Sequence, residues 1–137
     1  ILSSAKKQGF LSDKKYLEHK GFTVADKAEH YFELLYLPFE ENAEKPQFIT
    51  NSIEHKNGLV LYYTNQCPFT AKYVPLLKEV AESKNFSMET VHITTLEQAK
   101  KAPCPFTTFS LFYNGEFITH EIQSEKKFEK FLDTLKK

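Results

Sequence analysis

Apolar residues gather in short runs across residues 1–39, lapse across 40–57, and return in regular runs across 58–137. In the first block "ILSS" reads as the end of a strand. "SDKKYLEHKGF" reads as a short helix, with Ser12 or Asp13 placed to cap its N-terminus and Gly21 where a left-handed residue ends it. "FTVAD" alternates as a strand does, Asp26 to His30 is polar and turn-like, and "YFELLYLPF", residues 31–39, reads as a longer strand closed by Pro38. Residues 40–57, "EENAEKPQFITNSIEHKN", hold one isolated apolar pair, Phe48-Ile49, and read as a linker.

The second block opens with "GLVLYYT", a continuous apolar run of the kind found in a strand buried on both faces. "FTAKYVPLLKEVAESK" then places Val74, Leu77 and Val80-Ala81 at helical spacing, with lysines and glutamates between them. "SMETVHIT" alternates, and "TLEQAKKA" is a short helix with Thr94 or Thr95 as its cap. "FTTFSLFY" and "EFITHEI" flank Asn114-Gly115, which predicts a hairpin closed by a type I′ turn. "SEKKFEKFLDTLKK" puts Phe128, Phe131, Leu132 and Leu135 on one face of a final helix. The predicted order is β-α-β-α-β-β-α, an α/β (α+β) arrangement, with no internal repeat.

Composition narrows the function classes. The 137 residues allow one ordinary domain or two small ones. Formal net charge is zero, so no overall field recruits nucleic acid or an anionic membrane. All 18 basic residues are lysine, so any anion site would rest on lysine, backbone N–H groups or hydroxyls in place of the bidentate arginine fork. Two distant cysteines are not a disulfide framework, and no apolar run approaches the ~20 residues of a membrane-spanning helix. "ILSSAKKQGF" lacks the apolar core of a signal peptide, so a cytoplasmic setting is expected. The chain opens at Ile1, inside an apolar run, which leads us to expect a longer natural N-terminus.

The candidate chemistry centres on "NQCPFTAKYVP". Cys67 stands where a strand gives way to a helix. There the free N–H groups and the positive end of the helix dipole stabilise a thiolate, the nucleophilic form. Pro68 costs little at an early helical position, where its missing N–H would have had no partner anyway. The alternative is a small structural thiol at a strand end. His55, His92, His120 and the two cysteines do not fall at zinc spacing, so no metal is expected. His92, on a strand, is expected to be structural.

Residues 58–137 resemble the thioredoxin fold. The resemblance rests on the element order, on Cys67-Pro68-Phe69-Thr70 in place of a C-x-x-C or C-P-x-[ST/C] motif, on Pro75 eight residues after Cys67, and on "LFYNGEF". It implies Cys67 as a thiol nucleophile, with Thr70 either hydrogen-bonding the thiolate or simply replacing the second cysteine, so that a low-molecular-weight thiol would serve as partner. Pro68 and Phe69, together with Cys104, Pro105 and Thr107 in the loop before the third strand, are the implied binding residues. Thr107 stands where the family has a cis-proline, with Pro105 two residues early. In this fold the loop of "APCPF" packs beside the first helix, so Cys104 could act as a resolving thiol.

Residues 1–39 resemble the C-terminal part of the GNAT acetyltransferase fold, on "YLEHKGF" followed by "TVAD" and on "YFELLYLPF". In many members a tyrosine four residues before the glycine protonates the leaving thiolate of coenzyme A. Here that position is Leu17, and Tyr16, one residue early, is the catalytic candidate the resemblance implies. The four glycines (9, 21, 58 and 115) are far apart, so the Gly-rich acetyl-CoA loop is absent from this chain. Acetyl-CoA is therefore a cofactor implied for a full-length protein only, with none bound by this fragment, and its amine substrate, a small molecule or peptide, is not read here. Together the two halves resemble the YoaP-like family. A truncated first block would expose "YFELLYLPF" as an apolar edge and favour a homodimer through strand pairing.

Overall fold

A computed structural model describes residues 1–49, 51 and 56–137. Part of the expected linker, residues 50 and 52–55, and with it His55, lies outside the described residues. The described residues form a mixed α and β structure with two sheets and four helices. The chain divides into two compact units, Ile1–Thr50 and Asn51–Lys137.

In the first unit β1 (Leu2–Ser4), α1 (Lys14–His19), β2 (Thr23–Lys27) and β3 (Phe32–Tyr36) follow in order. The Asp13 side chain accepts the Tyr16 N–H at 3.0 Å and so starts α1. Gly21, at φ +89°, sits just beyond the end of the helix, in backbone that a Cβ would strain. Both β1 and β2 pair antiparallel with β3, giving the order β1-β3-β2. That corrects the expectation of an apolar edge at residues 31–39. The strand is shorter than expected, and its hydrogen-bonding groups face a neighbour on each side. Phe32 and Leu35 of β3 and Leu17 of α1 are buried. The buried Glu33 carboxylate forms ion pairs with Lys14 at 2.6 Å and Lys27 at 3.6 Å. The hydrogen bond to Glu33 raises the Lys14 ammonium above its ordinary value. Beyond the sheet, the Phe48 N–H donates to Asp26 Oδ2 at 2.8 Å, which ties part of the expected linker to β2.

The second unit runs β4 (Leu59–Tyr63), α2 (Pro68–Ser83), β5 (Met88–His92), α3 (Leu96–Lys101), β6 (Phe109–Tyr113), β7 (Glu116–Thr119) and α4 (Glu125–Leu135). The β-α-β-α-β-β-α order is the expected one. β4 pairs in parallel with β5 and antiparallel with β6, and β7 closes the hairpin, giving the order β5-β4-β6-β7. Asn114 (φ 50°) and Gly115 (φ 82°) turn the hairpin in the left-handed region, where Asn and Gly are the tolerated residues. The Asn114 side chain also accepts the Gly58 N–H at 2.7 Å, fixing the hairpin tip against the start of β4.

The core lies between one face of this sheet and helices α2 and α4. Leu59, Leu61, Met88, Phe109 and Leu111 from the strands meet Val74, Leu77 and Ala81 of α2 and Phe128 and Leu132 of α4. Each large side chain buried this way contributes roughly 1.5–3 kcal/mol. Alternation puts Val60 and Phe112 on the opposite face, and both are buried too, so β4 and β6 are covered on both sides. Pro75 sits inside α2 without ending it. No helix among the described residues is long and apolar enough to cross a membrane.

Candidate functional site

The site begins where β4 leaves the sheet. Thr64 ends the strand, residues 65–66 turn, and Cys67 caps α2 with extended backbone (φ −118°, ψ 126°). Pro68 at the first helical position holds φ near the helical value and removes an N–H that the helix would leave unpaired. The Cys67 side chain makes no capping hydrogen bond and is half-buried, a free thiol. The Phe69 ring beside it is 55% exposed and stacks on Tyr73 at 6.4 Å, with the Lys72 ammonium 5.2 Å from the Tyr73 ring.

Thr70 plays a different part from one the resemblance allowed. Its side chain is fully buried, and its hydroxyl stands 2.7 Å from both the Thr64 and the Cys67 carbonyls. A hydroxyl has one proton, and here the two carbonyls share it. Thr70 is therefore committed to the backbone that carries Cys67, and its proton is not directed at the thiolate. The backbone N–H of Thr70 adds a third tie, to the Cys67 carbonyl at 3.0 Å. The β4–α2 turn is thus held from inside the unit while its outer face stays open.

Cys104 occupies the opposite environment. It is 3% exposed, and burial pushes its thiol up to about 12 from an ordinary value of 9.0. The Phe106 backbone and the Ser110 hydroxyl offset only part of that shift. The Ser110 hydroxyl makes no hydrogen bond of normal geometry with any described residue, so its help is the weaker of the two. Cys104 and Cys67 are separate free thiols. A thiol this buried and this hard to ionise is a poor attacking group, which weighs against Cys104 as a resolving partner.

The remaining expected residues divide. Pro105 and Thr107 are half-buried in the segment before β6, and no described peptide bond is cis. The Thr108 hydroxyl donates to Gln66 Oε1 at 3.0 Å, bringing that segment to the β4–α2 turn. Tyr16 belongs to the first unit. It is 61% exposed on α1, with the Lys20 ammonium 5.6 Å from its ring, while Leu17 turns into the core. The one-residue offset read in the sequence is thus a change from inside to outside. His92 is exposed, not sealed in the structure, and its ring stacks flat on Tyr63 at 4.6 Å. Among the described histidines, His120 is buried, edge-on to Phe106 at 5.0 Å. No group of three or more metal-ligating side chains occurs among the described residues.

An open groove of about 530 Å³ lies at the carboxyl ends of β4 and β5, lined by residues 64–66, 92–96, Ala99 and Thr107. Of these, the sequence points to Thr107 alone as a binding residue. The available signal was positional. In open sheets, ligands gather at the carboxyl ends of parallel strands, and Gln66 and His92 follow β4 and end β5.

Comparison with known proteins gives a class first. The YoaP-like family model matches residues 88–130, from the start of β5 into α4. A particular relative extends the match. The chain is 40% identical over 137 residues to YoaP of Bacillus subtilis (strain 168), described as an uncharacterized N-acetyltransferase. That alignment covers 98% of this chain and 55% of the relative, so the chain spans about half the length of the curated relative it matches.

Proposed function

We propose that this chain is the C-terminal region of a GNAT-family N-acetyltransferase, in which residues 58–137 form a thioredoxin-like accessory domain that binds substrate or a partner. The observation that carries this reading is the 40% identity, along nearly the whole chain, to a protein described as an N-acetyltransferase. The strand–helix–strand–strand order of the first unit supports it, as does the β5-β4-β6-β7 order of the second. In this reading acetyl-CoA binds in an upstream part of the full-length protein, the acceptor is a small-molecule or peptide amine, and the protein is cytoplasmic, with no nucleic-acid or membrane partner. The test is acetyl transfer by the endogenous full-length protein, followed by release of the coenzyme A thiol across a panel of amines. Acceptor-dependent release supports the reading. An endogenous protein with the 16.0 kDa mass of this chain, and no acetyl-CoA binding, overturns it.

A second reading rests on Cys67 itself, half-exposed at the start of α2 with no capping hydrogen bond to hold it. Here the second unit is a monothiol exchange module. The Cys67 thiolate attacks one sulfur of an oxidised small thiol, a Cys67–S–S–R bond forms as the R–S–S–R bond breaks, and R–S⁻ leaves and takes up a proton. Incubation with an oxidised small thiol, followed by intact mass, tests it. One mixed-disulfide adduct on Cys67, reversible by excess thiol, is the expected result, and an unmodified native protein overturns it.

A further inference from the structure

The groove beside the β4–α2 turn has a defined chemistry. One wall is the turn itself, braced by the Thr108–Gln66 hydrogen bond. The other is the loop from β5 into α3. There Gln98 Oε1 accepts from the Thr94 N–H at 2.8 Å, the Thr94 hydroxyl at 3.1 Å and the Thr95 N–H at 3.1 Å, while the Thr95 hydroxyl accepts the Gln98 N–H at 3.2 Å. This reciprocal cap braces the wall and engages the Thr94, Thr95 and Gln98 amides, which are then not free to hold an anion. No lysine or arginine is among the described residues that line the groove. Its side chains are hydroxyls and carboxamides, with the His92 imidazole, and Ile93, Leu96 and Ala99 supply the apolar part. Ile93 is buried while Leu96 is 69% exposed, an apolar residue without cover on the rim. The volume is that of an ordinary small-molecule site.

We infer that this groove binds an uncharged small molecule bearing secondary amides and an apolar side group. Threonine hydroxyls and the Asn65 and Gln66 carboxamides offer donors and acceptors in the balance an amide requires. A carboxylate or phosphate would find no lysine or arginine to pair with among the described lining residues. The apolar group would cover Leu96 and reach toward Ile93. This inference rests on the reading of the second unit as a binding module and names the ligand class that module would take.

The test is titration of the isotopically labelled 137-residue chain with N-acetyl-leucine methylamide, following backbone amide shifts, with N-acetyl-leucine as the charged counterpart. Saturable shifts clustered at residues 64–66, 92–99 and 107 are expected, with the acid binding several-fold more weakly. Thr107→Val keeps the side-chain shape and removes one hydroxyl, and should weaken binding about 2- to 10-fold, the range for one hydrogen bond. Leu96→Ala changes an exposed side chain and should weaken binding while leaving the spectrum of the free protein folded. No saturable shifts up to the solubility limit, or equal binding of the acid, overturns the inference. Shifts clustered on Cys67 and Phe69 instead would also overturn it, while leaving the binding role of the unit standing. Acetyl transfer by the full-length protein depends on neither result.

Discussion

Cys67-Pro68 and Cys104-Pro105 are the same dipeptide in one unit, and the fold gives them opposite surroundings. The first sits at the mouth of a helix, half-exposed, on a turn fastened from beneath by Thr70. The second lies in the segment before β6, 3% exposed, with its thiol pushed up to about 12. A cysteine's chemistry is set by where its thiolate would have to live, and the residue that follows it in sequence says little about that.

The comparison breaks most plainly if the two cysteines join. Mild oxidation of the native chain should give adducts on Cys67 and no internal disulfide, and an intact mass lower by two hydrogens, without dimer, would contradict this. The next largest effect is on stability at alkaline pH. Cys104 has a raised folded-state value, so its contribution is whole below the unfolded value near 9.0 and is lost as pH rises toward about 12. In that window the unfolded thiol ionises while the buried one holds its proton. The full span corresponds to about 4 kcal/mol. Urea midpoints from pH 8 to 10.5 should fall more steeply for the natural chain than for Cys104→Ala, and equal slopes would contradict the assignment.

Smaller effects sharpen the picture at the turn. Thr70→Val keeps the shape but leaves the buried Thr64 carbonyl without its hydroxyl donor, at about 1–3 kcal/mol by chemical denaturation. It should also raise the reactivity of Cys67 by loosening the backbone that carries it. A loss below about 0.5 kcal/mol would mean that the shared hydrogen bond does not hold the turn. Smallest of all, Cys67→Ser at its half-exposed position should change stability by no more than about 0.5 kcal/mol, whereas a loss as large as that of Thr70→Val would make Cys67 a structural thiol.

What the sequence made legible was local. Asp13 and Thr95 cap their helices as their residue types allow, and Asn114-Gly115 turns the hairpin. Phe128 and Leu132 lie on the buried stripe read from their spacing. What escaped depends on partners distant in the chain. Residues 31–39 read as an edge because nothing in a strand's own sequence shows how many neighbours it has, and β1 and β2 both pair with it. Lys27 reads as part of a turn, yet it continues β2 beyond a bulge between Val24 and Asp26, a feature that pairing creates. Cys104 and Cys67 share the Cys-Pro dipeptide, and the burial that disables Cys104 comes from packing that the dipeptide does not show. Thr70 looked like a lost cysteine, but its hydroxyl bonds a carbonyl six residues back, which a motif does not display. The groove was missed for the same reason, since its walls come from three separated segments.

The most direct test is the alkylation rate of each cysteine in the native chain, mapped by peptide mass across pH 5 to 10. Cys67 should react throughout the neutral range. Cys104 should resist until denaturant is added, because a thiol at about 12 is only ~10⁻⁴ ionised at pH 8. Comparable native rates for the two, or a Cys67 that also waits for unfolding, would contradict the account.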